Sequence, residues 1–275
     1  MFSDRIAVSI FLIPAALFVV ASGGPIYLLG ILLIFALAAL EYAQLFRTGG
    51  QRPALPLVVG GVLALIAAQQ FPALNPHGLL FGLIILAALT WHQIDYERGA
   101  AASGTDLAIT VGGIFYLGWL GTYFIALRAL PPDGLWWLIT TVTAVWLADT
   151  GAYMIGRAFG KHKMAPRLSP KKSWEGYFAG LFTSVIVGAF FAYAFSVLGP
   201  QPLGGLITPL QGGFLGLVIG ALAPLGDLGE SMFKRQGGLK DSSNVFPGHG
   251  GFFDRIDSWI WGAALGYFVI QLLIL

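Results

Sequence analysis

Nine long apolar runs divide this chain, and short stretches rich in Gly and Pro separate several of them. A helix that crosses a bilayer needs roughly 20 mostly apolar residues. Its backbone N–H and C=O groups must all be satisfied internally, because the hydrocarbon core holds no water. The runs lie at about 6–22, 26–45, 54–70, 78–93, 106–127, 135–156, 176–198, 212–233 and 255–275. The third and fourth are short for a full span. SGGP at 22–25, FPALNPHG at 71–78, LPPDG at 130–134 and LGPQPLGG at 198–205 mark breaks. The charged fraction agrees: 10% of the residues are charged, against about 25% in a soluble chain. The pattern predicts an all-α, polytopic integral membrane protein with about nine transmembrane helices. The first run reads as a helix rather than a signal peptide, since its flank is barely basic and no small-residue cleavage site follows.

The basic residues give the orientation. The N-terminus and the loops after even-numbered runs hold Arg5, Arg47, Arg52, Arg98, Arg157, Lys161, Lys163, Arg167, Lys171, Lys172, Lys234, Arg235, Lys240 and Arg255. Those are 14 of the 15 Lys and Arg, and Arg128 alone falls on the other side. Cytoplasmic loops carry the Lys/Arg excess. The N-terminus is therefore expected in the cytoplasm and the C-terminus outside. A net charge of +2 is too small to argue for a nucleic-acid partner. The absence of cysteine excludes disulfides, thiolate metal sites and a Cys nucleophile.

Composition shifts near residue 145. Both long charged loops come after it. Residues 1–134 read as a transmembrane scaffold of about five helices, and 135–275 as a catalytic region of about four helices with two charged cytoplasmic loops.

The chemistry gathers at the ends of the last helices. GALAPLGDLGESMFKR places Asp227, Glu230, Ser231 and Lys234 on one helical face. Asp227 follows a long apolar run, and a carboxylate at that depth usually faces a bundle interior or a polar cavity. Pro224 and Gly226 interrupt the helix just before it, and Pro frees a backbone carbonyl. HGGFFDRIDSW puts Asp254 and Asp257 three residues apart in the first turn of the ninth helix. The helix dipole alone favours a single acid there. Three carboxylates near the ends of adjacent helices look instead like a hard-cation site. Magnesium prefers oxygen ligands and binds through carboxylates and substrate phosphates. Two such cations would suit phosphoryl or nucleotidyl transfer. The glycines of PGHGG let backbone approach an anion closely, and His249 is a candidate phosphate donor.

The other loop, ADTGAYMIGRAFGKHKMAPRLSPKKSWEG, runs from Ala148 to Gly176 with six basic residues. Positive-inside topology and attraction to anionic headgroups explain part of it. They do not explain Asp149, or SPKKSWEG, where Ser173 can cap the seventh helix. Lys161, Lys171 and Lys172 facing a carboxylate cluster are what a polyphosphate needs. No P-loop, HExxH or GxSxG motif is present.

Ser231-x-x-Lys234-Arg235, Lys240-Asp241, Pro247-Gly-His-Gly-Gly251 and Asp254-Arg255-x-Asp257, with their spacing, resemble the signature of the phosphatidate cytidylyltransferases, or CDP-diacylglycerol synthases. GDLGES and the Ala148–Gly176 loop are also similar to that family. The resemblance covers roughly residues 145–260. It implies a nucleotidyltransferase that joins CTP and phosphatidic acid into CDP-diacylglycerol and pyrophosphate, with Mg2+ and room for a second cation. By that resemblance Asp227 and Asp254 match the metal-binding aspartates and Asp257 a further acidic position. Lys234 and His249 would join them in catalysis. Asp149, Lys161, Lys171, Lys172, Ser231, Arg235, Lys240, Asp241 and Arg255 would contact substrate. A homodimer in a bacterial cell membrane, with the site facing the cytoplasm, is expected. The competing readings are a CTP-dependent lipid-alcohol kinase of the dolichol or phytol type, which attacks the γ-phosphorus, and a cation-coupled transporter. Transporters show paired broken helices in symmetric halves, and here a single broken helix stands out.

Overall fold

The computed structural model describes residues 14–131, 133–199, 207–243 and 250–273. Residues 14–22 are helical. The helices that follow are α1 (Gly24–Thr48), α2 (Leu55–Gln70), α3 (Leu79–Glu97), α4 (Ser103–Arg128), α5 (Gly134–Phe159), α6 (Trp174–Leu198), α7 (Pro209–Leu222), α8 (Pro224–Gln236) and α9 (Phe253–Leu273). Among the described residues, six helical stretches are long and apolar enough to cross a membrane: Gly24–Thr48, Pro72–Glu97, Ser103–Arg128, Gly134–Phe159, Trp174–Leu198 and Pro209–Gln236. The chain is thus an α-helical integral membrane protein. The fourth run is longer than its sequence suggested, because two 3-10 turns at Pro72–Leu74 and Pro76–Gly78 lead into it. The third does stay short. Its 16 residues reach about 24 Å at 1.5 Å each, against a hydrocarbon core of about 30 Å.

One departure from an all-helical chain lies in the basic loop. Lys163–Ala165 (β1) and Ser169–Ser173 (β2) form a two-stranded antiparallel ribbon, with Lys163 opposite Ser173 and a bulge before Ala165. The described chain folds as two compact units. One comprises Met1–Ile125 with Met232–Ile256, the other Ala126–Ser231 with Asp257–Leu275.

In the first unit, α1 and α2 pack with α4, whose middle is a π-turn at Ile114–Trp119. Lipid tails are as apolar as leucine, so helices in a membrane associate through close packing and polar bridges. Both devices are present. A Cβ on Gly121 would enter the Phe35 ring, and one on Gly118 would meet the Val62 backbone. Thr110 Oγ1 accepts from the Ala54 amide at 3.0 Å and pairs with His92 Nε2 at 2.9 Å. The 232–256 segment is held in this unit by aromatic contacts. Phe233 lies 5.7 Å from Tyr42, Phe46 and Tyr116, centroid to centroid, and the fully buried Phe253 lies 6.0 Å from Tyr42.

The second unit is built on small residues. Gly180, Ser184 and Gly188 recur every fourth residue on α6, and Gly212, Gly216 and Gly220 do so on α7. Any Cβ on Gly188, Gly212 or Gly216 would collide with backbone of the facing helix. Caps begin the helices: Asp133 accepts from Leu135 N and Trp136 N, Ser173 accepts from Gly176 N as its sequence suggested, and Thr208 and Gln211 form a capping box. The helix break expected at Pro224 separates α7 from α8. Pro lacks an N–H, and beside the break the Ala221 carbonyl accepts from the Tyr177 hydroxyl at 3.0 Å.

Candidate active site

Just past the break, α8 meets α9. Gly226 makes this possible, since a Cβ there would strike the Asp257 carbonyl and the Trp261 ring. The contact brings Asp227, Glu230 and Asp257 together, with one carboxylate oxygen of each within 4.8 Å of the others. Glu230 is fully buried. Lys172 Nζ stands 2.8 Å from Asp227 Oδ2 and donates to the Pro224 carbonyl at 3.3 Å. Ser231 Oγ donates to Asp227 Oδ1 at 3.3 Å. Asp257 Oδ1 accepts from the Ser258 amide at 2.6 Å. Asp149 and Lys172 also act electrostatically on Asp257.

The β-ribbon explains why Lys172 is in the site. Successive residues of a strand point to opposite faces. Lys171 is exposed while Lys172 turns inward to Asp227. At the same, open end of the ribbon the Glu175 carboxylate accepts from His162 N and lies 2.6 Å from His162 Nδ1. Lys161 and Asp149 are exposed.

The remaining signature residues sit in the first unit. Lys234 Nζ donates to Asp254 Oδ1 at 2.6 Å, with side chains only 11% and 7% exposed. Asp254 Oδ2 accepts from Ser242 N at 2.9 Å, Ser242 Oγ at 2.7 Å and Gly251 N at 2.8 Å. Gly250 and Gly251 lie close against carboxylates of the protein. Gly250 holds φ at 75°, and a Cβ there would strike Asp254, while one on Gly251 would strike Glu41. Arg235 donates to the Leu239 carbonyl at 3.4 Å, and Arg235, Lys240, Asp241 and Arg255 are exposed. His249 lies outside the described residues.

Of the three acids expected at a cation site, the structure thus groups Asp227 and Asp257, adds Glu230, and engages Asp254 with Lys234 and the signature loop. Glu230 had a sequence signal in its i+3 spacing from Asp227. Glu41 had one too, as an acid inside an apolar run. Three carboxylates at this separation suit a hard cation, and all-oxygen donors favour magnesium over softer metals.

An α-helical membrane protein with an acidic, lysine-flanked site beside a broken helix is the class that fold and site define. Comparison with known proteins narrows it. Residues 3–273 match the model of the cytidylyltransferase family. A phosphatidate cytidylyltransferase of Synechocystis is 33% identical over 99% of this chain and 97% of its own length. One of Pseudomonas aeruginosa is 36% identical over 94% and 93%. One of Haemophilus influenzae reaches 47% over 46% of this chain and 43% of its own. The chain belongs to the cytidylyltransferase family.

Proposed function

We propose that this protein transfers the cytidylyl group of CTP to phosphatidic acid, giving CDP-diacylglycerol and pyrophosphate. The observation that carries the reading is end-to-end similarity to relatives named for that activity. The carboxylate cluster and its lysine supply the chemistry. A phosphate oxygen of the lipid attacks the α-phosphorus of CTP. A new P–O bond forms, the bond from the α-phosphorus to the bridging oxygen breaks, and pyrophosphate leaves with that electron pair. A phosphate monoester has a second pKa of about 6, so the nucleophile is ionised at neutral pH and needs no strong base. The work left to the protein is alignment and charge neutralisation.

Asp227, Glu230 and Asp257 are the residues that would hold Mg2+, whose chemistry is to offset the charge of the phosphates. Lys172 keeps Asp227 oriented and puts a cation beside the cluster. Lys234 fixes Asp254. The reading includes nine spans, a cytoplasmic N-terminus and active site, and a homodimer, the last resting on the resemblance alone. Purified protein given CTP and phosphatidic acid should release one pyrophosphate per lipid converted. Release of CDP without pyrophosphate would sink the reading.

The two ribbon lysines should separate in kinetics. Charge-assisted hydrogen bonds contribute roughly 1.5–3 kcal/mol, which is about tenfold to a hundredfold in efficiency. Lys172→Gln should lose that much in kcat/KM, while Lys171→Gln stays within about twofold of the parent, as exposed charges contribute little. Unchanged kcat/KM in both variants would return the ribbon to a plain positive-inside role, and equal losses would overturn the distinction between the two lysines.

Topology has its own test. A cysteine replacing Lys163 should be shielded from an impermeant thiol reagent on intact cells, and one replacing Asp133 should react. The reverse pattern would invert the orientation.

A further inference from the structure

Glu41 lies in α1, in the part of the chain that the sequence assigns to scaffold, yet its carboxylate is directed at the signature loop. It is 4% exposed. Oε1 accepts from Ser243 Oγ at 2.7 Å, and Oε2 accepts from Ser242 Oγ at 3.0 Å and from the Phe253 amide at 2.8 Å. Gly251 packs so closely that any side chain there would displace this carboxylate. Ser242 Oγ also lies 2.7 Å from Asp254 Oδ2. A hydroxyl has one proton, so Ser242 shares it between the two carboxylates and ties their positions together. Ser243 and the Phe253 amide supply Glu41 with donors of its own.

We propose that Glu41 is a positioning residue for the reaction. It does not touch substrate. Through Ser242, Ser243 and the Phe253 amide it sets the backbone on both sides of the signature loop, and with it the aim of Asp254 and of Lys234. A buried carboxylate is costly unless hydrogen-bonded, and among the described residues its donors all belong to the signature segment. A loose aim is costly in catalysis, since small displacements of a catalytic group lose large factors in rate. The inference rests on the activity proposed above, and its test therefore has a readout that does not require turnover.

Glu41→Gln keeps the shape but turns an amide NH2 toward groups that are themselves donors. Turnover should fall about tenfold to a hundredfold, with KM for both substrates within about twofold. Ser243→Ala should cost less, and should cost nothing further in the Glu41→Gln background, because both act through one contact. Amide hydrogen exchange, read on peptides covering 239–243 and 250–256, should quicken in either variant relative to the parent without any substrate. Faster exchange with unchanged turnover would overturn the positioning role. Additive losses, or exchange unchanged in both variants, would overturn the contact itself. If Glu41→Gln does not accumulate, Ser243→Ala decides: unchanged exchange overturns the proposal and faster exchange with reduced turnover supports it. A parent protein that makes no product would instead sink the assigned activity, leaving the exchange result to judge the contact.

Discussion

Asp227→Asn should lower turnover by at least ~1000-fold, on the scale of removing a group that stabilises transition-state charge, while the protein folds and extracts as before. The side chain of Asp227 is 35% exposed, so the change strands no deeply buried charge. What it removes is one charged oxygen from the three-carboxylate cluster and the counter-ion of Lys172. Any residual activity should need more magnesium, because Asn offers a weaker, neutral ligand. Initial rates across a magnesium titration, beside a thermal melt in detergent, check both halves. Near-normal turnover would make Asp227 a helix-end acid and nothing more.

Asp254→Asn should also abolish most turnover, but with a different signature. Asp254 and Lys234 form a buried ion pair. Removing one member of such a pair costs about 3–5 kcal/mol, because the other charge is left uncompensated. The thermal midpoint should therefore drop in Asp254→Asn and not in Asp227→Asn. Adding Lys234→Met to Asp254→Asn removes the other charge of the pair, and replacing a buried pair by apolar groups is often neutral. The double variant should recover the melting point and stay inactive. Recovery of activity with stability would mean that the pair serves only to hold the fold.

Much of this is legible in the sequence. Long apolar runs have one economical solution in a membrane, and a proline inside one of them breaks it. Ser173 before an apolar run is a cap wherever that run is helical. Asp227 and Asp257 announced themselves by depth and by helical spacing. The rest depends on contacts that spacing does not encode. Glu41 finds its partners 201 and 202 residues away, and only the fold brings α1 to that loop. Lys171 and Lys172 look equivalent in a basic loop, and an unforeseen strand of five residues makes them different. That strand has no apolar alternation to betray it. The contacts of Gly250 and Gly251 with the carboxylates of Asp254 and Glu41 are likewise absent from spacing. The ion pair that Asp254 forms with Lys234 had no such signal. The burial of Asp254 against Lys234 is a property of packing.

Cytidylyl transfer requires attack at the α-phosphorus of CTP. It is tested by supplying CTP labelled at either the α- or the γ-phosphorus, with phosphatidic acid and magnesium, and extracting the lipid. The α label should appear in the lipid and the γ label should leave entirely as pyrophosphate. A γ label in the lipid phase would contradict the account, since it marks a kinase acting on the other end of the nucleotide.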